Sequence, residues 1–371
     1  MPQSPLNVTI YLGDQNPGRD RSMGITRMTT CLAGELIASG EVELTQIISR
    51  SSFRIEGLSK PSRILPWNSD HKIGRLAADQ FHPFFCRGLE GSDLWYYPKG
   101  YLPRFPQSKS PNVITIHDTI LQWYADRYPH YRSRADYTYW LTMMKRSIGC
   151  ADRILTDSKA SETHIRKLAD RFNIRHREID VTYLASDFET QTPLAENEKE
   201  DFALHLASSA PHKKTNHLLR WWKNLAQDGL ELPMLKLAGA VDAEAQEIIE
   251  SCPEIQRLDH LDEETFIHTL KRARVLIIPS EIEGFGLPAL EAYFCGTPAC
   301  YVAETSVDEI VSRATRLGRF SLDDRDSFQG ALEEVLHMKH ESVIKIGDLL
   351  RREYSVHRFG ETVLGSLRAA V

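Results

Sequence analysis

Two glutamates, Glu283 and Glu291, stand eight positions apart in the stretch PSEIEGFGLPALEAYFCGTPAC, residues 279–300. An apolar run, ARVLIIPS, leads into them, and an uncharged loop, Gly284-Phe285-Gly286-Leu287-Pro288, separates them. A strand that ends in a glycine loop and opens a helix aims backbone N–H groups and the positive end of the helix dipole at one point, which suits a phosphate. Gly284 and Gly286 allow unusual backbone angles and close approach of a ligand. Pro288 suits the first helical position, where its missing N–H costs nothing. Carboxylates beside a phosphate repel it. Glu283 before the turn and Glu291 roughly 5 Å along the helix axis are compatible with that site only if they take neutral, hydroxyl-rich groups flanking the phosphates. A nucleotide sugar has that layout, with ribose on one side of a diphosphate and a hexose on the other.

These side chains need elements to hold them. Short β-branched or apolar runs alternate along the chain with amphipathic stretches. NVTIYLG (7–13), ELTQIIS (43–49), DLWYYP (93–98), NVITIHD (112–118), DRILTDS (152–158) and IDVTYL (179–184) read as strands, with helices over 26–39 and 158–170. A polar, acidic stretch follows residue 186. The alternation then restarts with FALHLAS (202–208), MLKLAG (234–239), RVLIIPS (274–280) and TPACYV (297–302), and with helices near 213–227, 241–251, 288–295 and 324–340. Strands alternating with helices indicate βαβ units and parallel sheets. The expected class is α/β, with two Rossmann-like domains whose parallel sheets face a central cleft. The expected boundaries are 1–186, a linker at 187–200, a second domain at 201–354, and a C-terminal helix, 355–371, crossing back to the first domain.

Composition narrows the class of function. The chain has 371 residues, 42% hydrophobic and 26% charged, as in an ordinary soluble globular protein. No apolar run reaches the length of a membrane-spanning helix, and the N-terminus lacks the layout of a secretory signal. The six cysteines form no CxxC pair, which implies reduced, mostly buried thiols in a cytoplasmic protein and no structural zinc. The net charge is −6, yet residues 1–186 carry 25 Lys+Arg against 19 Asp+Glu, and residues 187–371 carry 20 against 32. The basic half is suited to an anionic partner such as a phospholipid surface or lipid phosphate. An acidic chain without a nucleic-acid motif gives no reason to expect a nucleic acid.

The Glu283–Glu291 stretch resembles the E-x7-E signature of retaining GT-B glycosyltransferases, family four in particular. The likeness extends to KLAGA (236–240), to RLDHLDEETFIHTLKRARVLIIPS (257–280), to TSVDEIV (305–311), and in the N-terminal half to VITIHDTI (113–120) and ADRILTDSKASETHI (151–165). The resemblance implies that Glu283 contacts the donor sugar, Glu291 the ribose, and the backbone of Gly284, Phe285, Gly286 and Leu287 the sugar and diphosphate. It implies that His117 sits near the anomeric carbon with Asp118 orienting it, and that Gly24 belongs to a loop over the cleft; Arg19 and Arg21 in the same stretch suit either an anionic acceptor or plain solvation. Where the family often has an arginine after the first strand of the second domain, HLASSAPHKKTNHLL (205–219) has Ser208 or Ser209. That leaves Lys213 and Lys214 as candidates to neutralise the diphosphate, with either able to serve.

The implied reaction is retaining, metal-independent transfer of mannose or another hexose from a GDP- or UDP-linked sugar to a hydroxyl acceptor. The acceptor is expected to be a glycan or lipid-linked glycan of surface polysaccharide synthesis, reached by a protein in the cytoplasm or peripheral at the inner face of the membrane. No cofactor and no metal ligand are expected. Other GT-B sugar-nucleotide chemistry, such as epimerisation, and non-catalytic binding of a sugar nucleotide are the rival readings. The stretch QWYADRYPHYRSRADYTYWLTMMKRS (122–147), rich in Tyr and Trp among Arg and Lys, suits either an acceptor surface or an amphipathic helix with a tyrosine-rich buried face.

Overall fold

The computed structural model describes residues 4–15, 23–86, 91–105 and 109–371. The chain divides into two compact units, residues 1–186 with 356–371, and residues 187–355.

The first unit is built on a seven-stranded sheet. Its strands are β1 (Leu6–Tyr11), β2 (Val42–Ile48), β3 (Arg63–Ile64), β4 (Leu94–Tyr97), β5 (Asn112–Thr115), β6 (Arg153–Thr156) and β7 (Ile179–Val181). They lie in the order β3-β2-β1-β4-β5-β6-β7, and every neighbouring pair is parallel. Helices α1 (Met23–Ala38), α2 (Lys72–Phe85), α3 (Ile120–Arg127), α4 (Arg134–Cys150) and α5 (Lys159–Arg171) connect the strands. The sequence explains α5: Ser158 accepts the Ser161 N–H as N-cap, and Ile165, Leu168 and Ala169 form one buried stripe at helical spacing. In α4, Trp140, Met143, Met144 and Ile148 are buried at that same spacing. The aromatic-rich stretch therefore supplies core through α4, while Tyr131 stays exposed.

The second unit repeats the plan with six strands: β8 (Phe202–Ala207), β9 (Met234–Gly239), β10 (Ile255–Arg257), β11 (Val275–Ile278), β12 (Ala299–Val302) and β13 (Arg319–Phe320). Their order is β10-β9-β8-β11-β12-β13, again parallel throughout. The covering helices are α6 (Thr215–Gln227), α7 (Ala243–Glu250), α8 (Glu263–Arg272), α9 (Leu287–Phe294), α10 (Ser306–Val311), α11 (Arg325–Leu336) and α12 (His340–Glu353). All four residues of β11, Val-Leu-Ile-Ile, are buried, as a central parallel strand covered on both faces requires. From α6, Leu218, Leu219, Trp222 and Leu225 enter a core shared with Phe320 and Phe328.

The chain between the two sheets differs from its expected role. Residues 187–200 read as a linker, but they pack onto the second unit. Phe188 is 2% exposed, and the Arg351 guanidinium of α12 donates to the carbonyls of Glu189, Gln191 and Phe294. One aromatic side chain and one arginine thus bind the acidic stretch to the C-terminal end of α9. A last helix, α13 (Val356–Arg368), belongs to the first unit. It lies against α1, where a Cβ on Gly360 would meet Glu35 Cβ at 2.7 Å. Cys86, Cys252, Cys295 and Cys300 are buried thiols outside any disulfide, and Cys150 is an exposed one.

Helix α12 fixes α9 by close approach. A Cβ on Gly347 would lie 2.5 Å from the Tyr293 carbonyl oxygen, a backbone atom that cannot swing aside. Gly347→Ala is therefore expected to destabilise the second unit by about 1–3 kcal/mol. A lower urea midpoint for its unfolding would show this, and an unchanged midpoint would mean the helices do not touch there.

Candidate functional site

In each sheet the strand order reverses once, between β1 and β4 in the first unit and between β8 and β11 in the second. Loops diverge at such a point and leave a crevice at the carboxyl ends of the strands. The chemistry-bearing residues of the second unit collect there; in the first unit Asp14 and Lys99 do, while His117 follows β5.

In the second unit, two loops meet. The loop after β8 carries Ser208, His212, Lys213 and Lys214, and the loop after β11 carries Glu281 and Glu283. They are laced by three bonds. The Glu281 N–H donates to the His212 carbonyl at 2.9 Å. Lys213 Nζ lies 2.5 Å from Glu283 Oε1, and Lys214 Nζ lies 2.5 Å from Glu281 Oε1. Burial alone would raise the Glu283 carboxyl pKa, but the Lys213 ammonium and its hydrogen bond outweigh it and hold the group below its usual value. The sequence left Lys213 and Lys214 as alternatives. The structure gives them different partners on one facing loop.

A hydrogen-bond chain fixes the base of this loop pair. The Ser208 N–H donates to Thr215 Oγ1 at 3.1 Å, and Thr215 Oγ1 lies 3.0 Å from His205 Nε2. The His205 Nδ1 side lies 3.0 Å from the Ile277 carbonyl. A carbonyl only accepts, so Nδ1 carries the proton and Nε2 accepts from Thr215. Burial pushes the His205 pKa down to about 4, which keeps this neutral tautomer. The β8 and β11 ends are thereby held at one spacing. Ser208, expected at a donor position, shapes the turn through its Oγ, which accepts the Ala210 N–H.

Two helices start at this edge, α6 and α9. Both follow a residue in the left-handed region, Lys214 at φ 51° and Gly286 at φ 105°, and neither has a side-chain cap. For Lys214 this conformation costs on the order of 1 kcal/mol. At Gly286 a side chain is sterically forbidden as well, because a Cβ would meet Val307 Cγ2 at 2.6 Å. Ser306 Oγ donates to the Glu283 carbonyl at 3.0 Å and holds the loop onto α10. Phe285 turns inward, 3% exposed and edge-on to Tyr354 at 5.8 Å. Gly284 and Leu287 are half-buried on either side of it. Glu291 lies on α9 and is 3% exposed. Pro288 is the second helical residue rather than the first.

In the first unit, His117 follows β5. Its Nδ1 lies 2.8 Å from Asp157 Oδ2, and its Nε2 lies 2.7 Å from the Pro98 carbonyl. Asp118 was expected to orient this ring. Asp118 Oδ1 accepts the Ile120 N–H at the start of α3, and Asp157, forty residues on at the end of β6, holds the imidazole. With a carboxylate on one nitrogen and a carbonyl on the other, both nitrogens carry protons in the favoured state. Burial works against that charge, but the Asp157 carboxylate, its hydrogen bond and the Pro98 carbonyl outweigh it, and Asp118 adds a smaller attraction. The His117 pKa is raised.

Further polar groups gather at the β1/β4 reversal. Lys99 Nζ lies 3.4 Å from Asp14 Oδ2, and the Tyr11 hydroxyl donates to Asp79 Oδ1. Burial, then the Asp14 charge, raises the Asp79 pKa. Gly24, expected in a loop, is exposed in the first turn of α1; Arg19 and Arg21 lie outside the described residues. Among the described residues, no group of three or more His, Cys, Asp or Glu is placed to hold a metal ion.

Sequence reasoning missed Asp157, Glu281, His205 and Thr215. His205 had a signal, a lone histidine inside the apolar strand FALHLA. Asp157 and Glu281 had none, since their partners are brought together by the fold.

Two parallel sheets, each with one strand-order reversal and polar loops at the carboxyl ends of its strands, define the class. The chain has the GT-B fold. Sucrose-phosphate synthase from Thermosynechococcus elongatus matches it with a TM-score of 0.70 and 15% identity, covering 99% of this chain and 100% of that one. Residues 186–347, most of the second unit, match the family described as glycosyl transferases group 1. By sequence the chain is similar to O-antigen chain mannosyltransferase B of Escherichia coli, 28% identical over 237 residues. It is also similar to O-antigen chain mannosyltransferase RfbU of Salmonella typhimurium, 25% identical over 235 residues. The match covers 60% of this chain in each case, and spans 60% of the length of each relative.

The His117 geometry has a pH signature. A folded-state pKa above the unfolded value of about 6.5 contributes stability that is fully present below that value. It is lost as pH rises through the folded pKa. Asp157→Asn should therefore lower the His117 pKa measured by NMR titration. The stability difference between wild type and variant should be largest in mild acid and shrink as pH rises. A His117 pKa unchanged by the substitution would sink the pairing.

Proposed function

We propose that this protein is a retaining glycosyltransferase that moves a hexose from a nucleotide diphosphate sugar to a hydroxyl acceptor. The carrying observation is the lacing of Lys213 to Glu283 beside the uncapped start of α9, with Glu291 on that helix. The diphosphate would lie against the N-termini of α6 and α9, where helix dipoles and Lys213 and Lys214 neutralise it. Binding would draw Lys213 from Glu283 to the phosphates and free the carboxylate for sugar hydroxyls. Glu291 would take the ribose.

In the reaction, the bond from the anomeric carbon to the diphosphate oxygen breaks. The acceptor hydroxyl oxygen bonds to that carbon on the same face. Its proton passes to the departing diphosphate. The first unit would hold the acceptor, with His117 fixed by Asp157 as a positively charged imidazole. Mannose is the favoured hexose and a surface polysaccharide the favoured acceptor, a reading supported by the two O-antigen mannosyltransferase relatives. The donor base is guanosine or uridine, and no bound cofactor takes part in this scheme.

The test is thermal unfolding with a panel of UDP, GDP and their sugars, on wild type and Glu291→Gln. One nucleotide should stabilise the wild type by about 2.7 kcal/mol at a hundredfold excess over Kd, and the shift should largely vanish in the variant. No shift with any nucleotide would sink the donor site. Release of nucleotide diphosphate that rises on adding acceptor glycan separates transfer from mere binding, and an altered sugar still joined to the nucleotide would indicate epimerisation.

A further inference from the structure

Among the described residues, ten large apolar side chains are exposed, and six of them fall between Ile64 and Phe105 of the first unit. Helix α2 carries most of them. Its inner face buries Ala78, Asp79 and His82. Its outer face, where a surface helix is ordinarily polar, presents Ile73 (82% exposed), Phe81, Phe84 and Phe85. The rings form one connected patch. Phe85 meets Trp67 at 4.8 Å, Trp67 meets Phe81 at 6.4 Å, Phe81 meets Phe105 at 5.9 Å, and Phe105 meets Phe84 at 5.0 Å. Isolated exposed apolar residues need no explanation, but a contiguous aromatic patch marks a surface that something covers.

Charge says what covers it. Arg63 sits at the edge of the patch, its Nε donating to the Phe85 carbonyl at 2.7 Å. Arg104 adjoins Phe105, and its backbone N–H donates to Gln80 of α2. Lys72 adjoins Ile73 with its side chain 67% exposed, paired to Asp136. Residues 50–110 hold ten Lys+Arg and five Asp+Glu, and one of those acids, Asp79, is buried. Aromatic rings ringed by Arg and Lys are what a helix lying in a membrane interface presents: the rings enter the headgroup–acyl boundary and the cations meet anionic headgroups.

We propose that the outer face of α2, with Trp67 and Phe105, docks the protein on a lipid bilayer bearing anionic headgroups. Among the described residues, no helix is long and apolar enough to cross a membrane, so the contact is interfacial. The proposal rests on this surface alone and is independent of the donor site.

The full chain would be co-sedimented with phosphatidylcholine vesicles, with and without phosphatidylglycerol. Binding should need the anionic lipid and should weaken as salt rises from about 0.1 to about 0.5 M. Phe81→Ser with Phe84→Ser should lower the partition coefficient by one to two orders of magnitude, roughly tenfold per ring. Ile73→Asp, at a fully accessible site, should lower it without touching the ring cluster, and unchanged thermal unfolding of this variant excludes misfolding. Four outcomes would overturn the proposal. They are no binding to anionic vesicles, equal binding to neutral ones, retention of binding in both variants, or concentration-dependent dimerisation abolished by the same substitutions in a protein that ignores vesicles. The last would assign the patch to a second copy of this chain.

Discussion

Strands β8 and β11 are neighbours in space, yet the chain leaves them toward opposite sides of the sheet. That one reversal forces everything else about the second unit's site. Two loops must end at the same edge with little backbone between them to hydrogen-bond, so side chains take over: Lys213 with Glu283, Lys214 with Glu281, and the Ser208–Thr215–His205–Ile277 chain beneath. Removing one member would leave a partly buried charge or a buried imidazole without its partner, which costs more than the pair contributes. The two helices that begin there are held by left-handed residues instead of Ser, Thr or Asp caps. Elsewhere Ser133, Ser158, Asp242, Asp262, Thr305 and Asp324 cap their helices conventionally. Helices α2, α3 and α12 also begin without a side-chain cap from the N-cap residue, so what sets α6 and α9 apart from them is the left-handed residue before each, Lys214 and Gly286.

The first unit answers the same constraint with different chemistry. At its reversal, carboxylates lie beside basic groups: Asp14 and Asp79 with Lys99 and Arg75 near them. Asp14 pairs with the partly accessible Lys99, Asp79 accepts from the Tyr11 hydroxyl, and a little further along the sheet His117 is held by Asp157 and Pro98.

Much of this was readable before any coordinates. Central strands such as VLII and helices such as LPALEAYF declare themselves, because burial on both faces demands unbroken apolar runs and Gly-Leu-Pro marks a helix start. The order of the central strands follows from βαβ alternation. What was not readable were short edge strands, β3, β10 and β13, of two or three residues each, which have too little pattern to stand out. Residues 187–200 looked like a linker because one phenylalanine in an acidic stretch carries its burial. Asp118 looked like the partner of His117 because it is adjacent in sequence. In a strand-end turn, adjacent side chains point apart, and the partner came from the neighbouring parallel strand, where register places Thr115 opposite Leu155 and so brings 117 to 157.

Helix α13 closes the first unit from the far end of the chain. Phe359, Val363, Leu364 and Leu367 are buried there, and Gly360 rests directly on Glu35 of α1. During synthesis, the sheet of the first unit emerges long before this helix exists. The flank of α1 must then wait, uncovered, until every residue of the second unit has been made. Completion of the first folding unit is thus tied to completion of the second. A nascent chain that stops anywhere before residue 356 carries an open apolar seam for chaperones or proteases to find, whichever unit the interruption falls in.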